Sequence, residues 1–356
     1  MSGLRGGPTV FPFGRETLLW FRQGGRPDRA GRWLRFLVRW QSFWFERNLA
    51  LQRRLLPPMS PGTDPVFILG LWRSGTTFLH DLLGACPGMI YPATWQCMSP
   101  ATFRLRQPPA TNKAVARPMD GFTVDTFSPQ EDEFALLALG IPSVYRGFFD
   151  PRRLDEVSQW LDPGAWVGRS DGWMEAWRDF LAGVADRKTG RLLLKSPNHT
   201  FRIRALLEEF PDASYVWLLR YPEETFFSNR KMWVSMFERY AFWKWEAPQL
   251  DEFLGRAFMY AAQCLAYAAG IVPKDRLVVV DFDRLTSDPV ETIRAVNRRL
   301  SLGSWDEMKN AVTRAAANKA DYRKDAYPDQ PLTPGLMDAI ESLRAAQTAA
   351  LASHGL

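Results

Sequence analysis

The stretch that most constrains this chain is residues 66–83. Four apolar residues, Val66–Leu69, run into Gly70-Leu71-Trp72-Arg73-Ser74-Gly75-Thr76-Thr77, and Phe78-Leu79-His80-Asp81-Leu82-Leu83 follows with a helical apolar pattern. The order predicts a strand, a glycine-bearing loop and a helix N-terminus. Such a loop aims successive backbone N–H groups and the positive end of a helix dipole at one point, which suits a nucleotide phosphate. Compared with the Walker A pattern, the two glycines keep their spacing, yet Thr76 stands where the phosphate-binding lysine belongs and Arg73 sits inside the loop. A metal-dependent kinase or NTPase wants that lysine, so this class becomes the weaker reading.

Further apolar runs at Leu192–Leu194, Tyr215–Leu219 and Leu277–Val280 each precede a turn and then a helical pattern. The alternation predicts an α/β fold: a P-loop-like parallel sheet flanked by helices, beginning near Asp64 after the break at Leu56-Pro57-Pro58 and Pro61-Gly62. In open parallel sheets ligands bind beyond the carboxyl ends of the strands, so Arg73, Lys195 and Arg220 are expected to converge on one edge. Residues 86–190 carry many prolines and tryptophans without a βαβ rhythm and are expected to form a helical, acceptor-binding insertion within a domain spanning 64–330. The segment Trp233–Ala269 predicts helices covering the site, and 331–356 a C-terminal helical tail.

Charge is unevenly distributed. The net charge is +6, but residues 1–56 hold eleven arginines against Glu16, Asp28 and Glu46, which leaves the body near neutrality. No basic face with groove-reading or base-stacking elements is evident, so nucleic acid is not an expected partner. Within the N-terminal extension, residues 1–63, the segment 15–56 is expected to be an amphipathic helical region, with Trp33, Phe36, Leu37, Trp40 and Trp44 at three- and four-residue spacing. Packing of this stripe on the body with solvated arginines is the first expectation, and peripheral membrane contact the second. No run reaches the roughly 18 apolar residues that span a bilayer, and the start lacks a signal-peptide core. Three cysteines without a CxxC pair fit a reducing, cytoplasmic location, and three scattered histidines predict no metal site.

The string Arg73-Ser74-Gly75-Thr76-Thr77 resembles the 5′-phosphosulfate loop of the sulfotransferase superfamily, particularly its bacterial branch and the tyrosylprotein enzymes. The resemblance implies that these five residues bind the donor 3′-phosphoadenosine 5′-phosphosulfate (PAPS), that 3′,5′-ADP is the product, and that transfer to the acceptor is metal-independent. Arg220, with Ser228 eight residues later, is similar to the family's 3′-phosphate motif, although Tyr221 stands where aspartate is usual. Lys195, ending Leu192-Leu193-Leu194-Lys195, resembles the lysine near the transferred group. The resemblance makes it the candidate for stabilising the leaving charge, assisted by Arg73. Asp281-Phe282-Asp283-Arg284-Leu285 is similar to the family's aromatic-acidic turn with phenylalanine for tyrosine, and Arg323 and Lys324 look like its basic loop over the donor.

An acceptor hydroxyl or amine needs a base within hydrogen-bond reach. The tyrosylprotein branch keeps one after the first helix, but Pro92-Ala93-Thr94-Trp95 has no carboxylate. Ser128-Pro129-Gln130-Glu131-Asp132-Glu133 looks like a string of the bacterial branch, which leaves Glu131 and Glu133 as joint candidates and His199 as a third. The acceptor class stays open among small molecules, glycans, lipids and peptides. Trp95, Trp160 and Trp173 suit either an acceptor groove or a core. A membrane-docking protein with a degenerate nucleotide site is the remaining alternative.

Overall fold

A computed structural model describes residues 13–27, 32–56, 62, 64–116, 123–169, 172–245, 247–318 and 332–356. Its strands are β1 (Val66–Leu69), β2 (Met89–Ile90), β3 (Val115–Ala116), β4 (Thr123–Val124), β5 (Arg191–Lys195), β6 (Ser214–Leu219) and β7 (Leu277–Asp281). Five of them form one parallel sheet in the order β2-β5-β1-β6-β7, and β3 pairs with β4 in a separate antiparallel hairpin. The fold is therefore the expected α/β type with a helix-flanked parallel sheet.

The uninterrupted apolar runs are explained by burial on both faces. Phe67, Leu69, Tyr215 and Trp217 share one core with Trp177, Phe210 and Leu265. Their neighbours Val66, Ile68, Val216 and Leu218 alternate to the other side and pack with Leu79, Leu82, Ile293 and Val296. Phe67 and Tyr215 stack with ring centroids 5.6 Å apart across adjacent strands.

Residues 86–190 contribute the edge strand β2, which has no counterpart in the expectations. Three of their tryptophans form core: Trp166, Trp173 and Trp177 are buried, with successive ring centroids 5.0 Å and 6.0 Å apart, while Trp95 and Trp160 are half-buried at its edge. The helices Pro222–Tyr240 and Ala247–Ile271 follow β6, and the C-terminal helix Pro334–His354 packs against the latter.

The N-terminal region is two helices, α1 (Arg15–Gln23) and α2 (Arg32–Leu55). Both brace the helix Glu133–Ala138. Gly14 N donates to Ala138 O at 2.7 Å, and Phe45 and Leu49 pack with Ala101 and Ala138. The stripe that packs is not the aromatic one expected. Val38, Ser42, Phe45, Leu49 and Gln52 are buried, while Phe36, Trp40 and Trp44 are exposed on the opposite side. A spacing of three and four identifies a helical face but does not say which of two apolar faces meets the body. Among the described residues no helix is long and apolar enough to cross a membrane.

Candidate active site

Because β1 lies between β5 and β6, the residues that follow these three strands are neighbours. The loop leaving β1 passes through left-handed backbone at Gly70 (φ 139°), Arg73 (φ 66°) and Gly75 (φ 96°), then opens helix α3 (Thr76–Gly84). A Cβ on Gly75 would lie 2.4 Å from the Phe282 ring, so glycine is required there by both backbone and space. The loop is held from outside: Gly70 N donates to Thr200 Oγ1 at 2.9 Å, and Asn229 Nδ2 donates to Trp72 O at 2.7 Å. Ser74 Oγ donates to Leu71 O at 2.7 Å.

The structure brings the second motif onto this loop. Arg73 Nε donates to Ser228 Oγ at 3.0 Å, and Arg220 Nη1 donates to Arg73 O at 3.0 Å. Arg220 is buried, pairs with Glu224 at 3.2 Å, and its guanidinium lies 4.8 Å from the centroid of Phe282. Phe282 thus supplies an aromatic face for the arginine.

Lys195 ends β5 on the other side of β1. Its Nζ is 2.7 Å from Glu131 Oε1 and 3.4 Å from Thr77 Oγ1, which ties the ammonium to a carboxylate and to the start of α3. The other carboxylate oxygen, Glu131 Oε2, accepts from Tyr145 OH at 2.6 Å, and Tyr145 OH accepts from Trp72 Nε1 at 3.0 Å. Burial, then the neighbouring Glu131 charge, pushes the Tyr145 phenol well above its ordinary range, so it stays a donor. Tyr145, Trp72, Thr200 and Asn229 were not found from the sequence. Only Asn229, beside Ser228, and Trp72, inside the loop, had a positional hint.

Glu133 and His199 are placed elsewhere. Glu133 accepts from both terminal nitrogens of Arg202 at 2.6 and 3.1 Å, with both side chains fully buried and the guanidinium 4.1 Å from the Trp166 ring centroid. His199 Nε2 lies 2.9 Å from Asp132 Oδ1, and Trp177 Nε1 donates to Asp132 Oδ2 at 2.7 Å. Burial alone would raise the Asp132 carboxyl, but His199 and these hydrogen bonds hold it below the usual range. Arg323 and Lys324 lie outside the described residues.

His80, in α3, is fully buried. Burial, reinforced by the Lys195 charge, lowers its pKa from 6.5 to about 3. The unfolded chain therefore binds a proton between those values that the folded chain refuses, and stability falls as pH drops below about 6.5. Each pH unit in that window removes about 1.4 kcal/mol at most. Thermal melts at pH 7 and pH 5 are expected to differ by more in the wild type than in His80→Leu, and parallel shifts would refute this.

A model of the sulfotransferase family matches residues 65–307, which holds the loop, Lys195, Arg220 and Ser228 together. The chain belongs to the sulfotransferase family. This sulfotransferase is 28% identical over 296 residues to the omega-hydroxy-beta-dihydromenaquinone-9 sulfotransferases Stf3 of Mycobacterium bovis and Mycobacterium tuberculosis, an alignment covering 81% of this chain and 74% of theirs. In fold it is similar to sulfotransferase STF9 of Mycobacterium avium, with a TM-score of 0.62, 20% identity, and coverage of 87% of this chain and 83% of that one. Sulfotransferase STF1 of Mycobacterium tuberculosis gives the same TM-score of 0.62 at 19% identity, covering 92% and 90%. As a sulfotransferase, the enzyme moves a sulfuryl group from a donor to an acceptor.

Proposed function

We propose that the donor is PAPS, that the acceptor is a hydroxyl on a lipid-like molecule, and that Glu131 is the base. The observation that carries this reading is the contact of Lys195 Nζ with Glu131 Oε1 at 2.7 Å, beside Thr77 of the phosphate loop. The residues present suit a nucleotide with a phosphate at each end. A tight glycine turn, a helix N-terminus and Arg73 serve the 5′ end, while Arg220 and Ser228, both in contact with Arg73, offer a guanidinium group and a hydroxyl to the 3′-phosphate. A lipid-like acceptor is supported by the name of the Stf3 relatives, an omega-hydroxylated menaquinone derivative. A cytoplasmic location fits Cys86, Cys97 and Cys264, all buried free thiols, with burial raising Cys86 and Cys264 to about 12.

PAPS, when bound, supplies an activated sulfuryl group on its 5′-phosphate. Glu131 takes the proton from the acceptor hydroxyl as its oxygen forms a bond to sulfur. The bond from sulfur to the bridging phosphate oxygen breaks, its electron pair stays on that oxygen, and Lys195 and Arg73 stabilise the resulting charge. Tyr145 keeps the Glu131 carboxylate oriented through the other oxygen.

Titration calorimetry separates this reading from an ATP-type site. The enzyme is expected to bind 3′,5′-ADP at least tenfold more tightly than 5′-AMP, about the 1.5–3 kcal/mol of a charged hydrogen bond. Arg220→Ala should erase that difference. Equal affinities in the wild type would remove the 3′-phosphate assignment.

A further inference from the structure

The outer face of α2 is apolar, aromatic and turned to solvent. Phe36, Trp40, Phe43, Trp44, Leu51 and Leu55 are each 41–61% exposed, and their spacing puts them on the side of the helix opposite Val38, Phe45 and Leu49. Six large side chains about half exposed amount to roughly 500–600 Å², at the upper limit for a monomeric soluble protein. A helix with two apolar faces, only one of them covered, is built for a second apolar phase.

Charge identifies that phase. α2 carries six arginines and a single acid, Glu46, whose carboxylate accepts from Arg15 N at 2.6 Å. Arg39, Arg47 and Arg54 are exposed within or beside the aromatic stripe, and Arg47 lies 5.4 Å from the Trp44 ring centroid. On the α1-facing flank of α2, away from the stripe, a cavity of about 410 Å³ is floored by Phe21, Val38 and Phe242 and rimmed by Arg22, Arg35 and Arg39. An apolar floor under a guanidinium rim matches an amphiphile with an anionic head. A second copy of this chain is a poor occupant, since it would set arginine-rich helices against each other.

We propose that α2 docks on the surface of an anionic phospholipid bilayer. It lies in the interfacial plane with its tryptophans and phenylalanines at headgroup depth and its arginines against lipid phosphates. The proposal is independent of the acceptor assigned above, because it rests on the outer face of α2 and not on the sulfuryl-transfer site.

The test is co-sedimentation of the full chain with vesicles of phosphatidylcholine alone or mixed with phosphatidylglycerol. Tight binding is expected only to the mixed vesicles, with a blue shift of tryptophan emission. The triple variant Trp40→Ser, Phe43→Ser, Trp44→Ser should lose at least tenfold in binding while keeping the wild-type melting temperature. Arg39→Gln, Arg47→Gln and Arg54→Gln together keep the apolar face and should cost about a hundredfold, at roughly fivefold per arginine. Wild type left in the supernatant with mixed vesicles would overturn the proposal. So would variants that bind as well as the wild type, or light scattering that shows the wild type dimeric and the serine variant monomeric.

Discussion

Replacing Glu131 with glutamine should lower turnover by about 10²–10⁴-fold, the usual contribution of a general base, while leaving 3′,5′-ADP affinity near the wild-type value. Glutamine preserves the shape of the side chain, and its carbonyl can still accept from Lys195 or Tyr145. What it cannot do is take a proton. The comparison is made with radiolabelled donor and a long-chain alcohol as acceptor. A variant that turns over at the wild-type rate would remove Glu131 from the chemistry, and a variant that loses nucleotide binding as well would make its role structural.

Two residues along, Glu133→Ala should leave the chemistry intact in the fraction that folds but weaken the fold severely. It strands the buried Arg202 guanidinium without its carboxylate, and removing one partner of a buried pair costs about 3–5 kcal/mol. For a chain of this size that corresponds to a fall in melting temperature of about 4–7 °C. The stacking of Arg202 over Trp166 does not replace the lost charge. An unchanged melt together with lost turnover would exchange the roles of Glu131 and Glu133.

The same two residues show where sequence reasoning stops. The phosphate loop and the four long strands were legible because continuous burial leaves an unmistakable apolar run, and β1 is bounded by the expected residues, Val66 and Leu69. β2 was not, since two residues carry no period. Glu131 and Glu133 could not be told apart because neighbouring positions at a helix start point in different directions, and the partners lie some 65 residues away. Those partners do carry a signal. Lys195, His199 and Arg202 stand four and three residues apart and meet Glu131, Asp132 and Glu133 in the same order. Three consecutive acids set against a spaced basic triplet is a pairing pattern that can be sought in sequence. Tyr145 left no such trace, being one aromatic among many.

At rest the Lys195 ammonium and the Glu131 carboxylate cancel one another. In the proposed mechanism a proton arriving on Glu131 ends that cancellation, so the ammonium is unmasked as the departing phosphate gains charge. One event therefore triggers both halves of the catalysis without any moving part. On that proposal the acceptor hydroxyl supplies the proton, so the leaving group gets its full assistance only when an acceptor is in place.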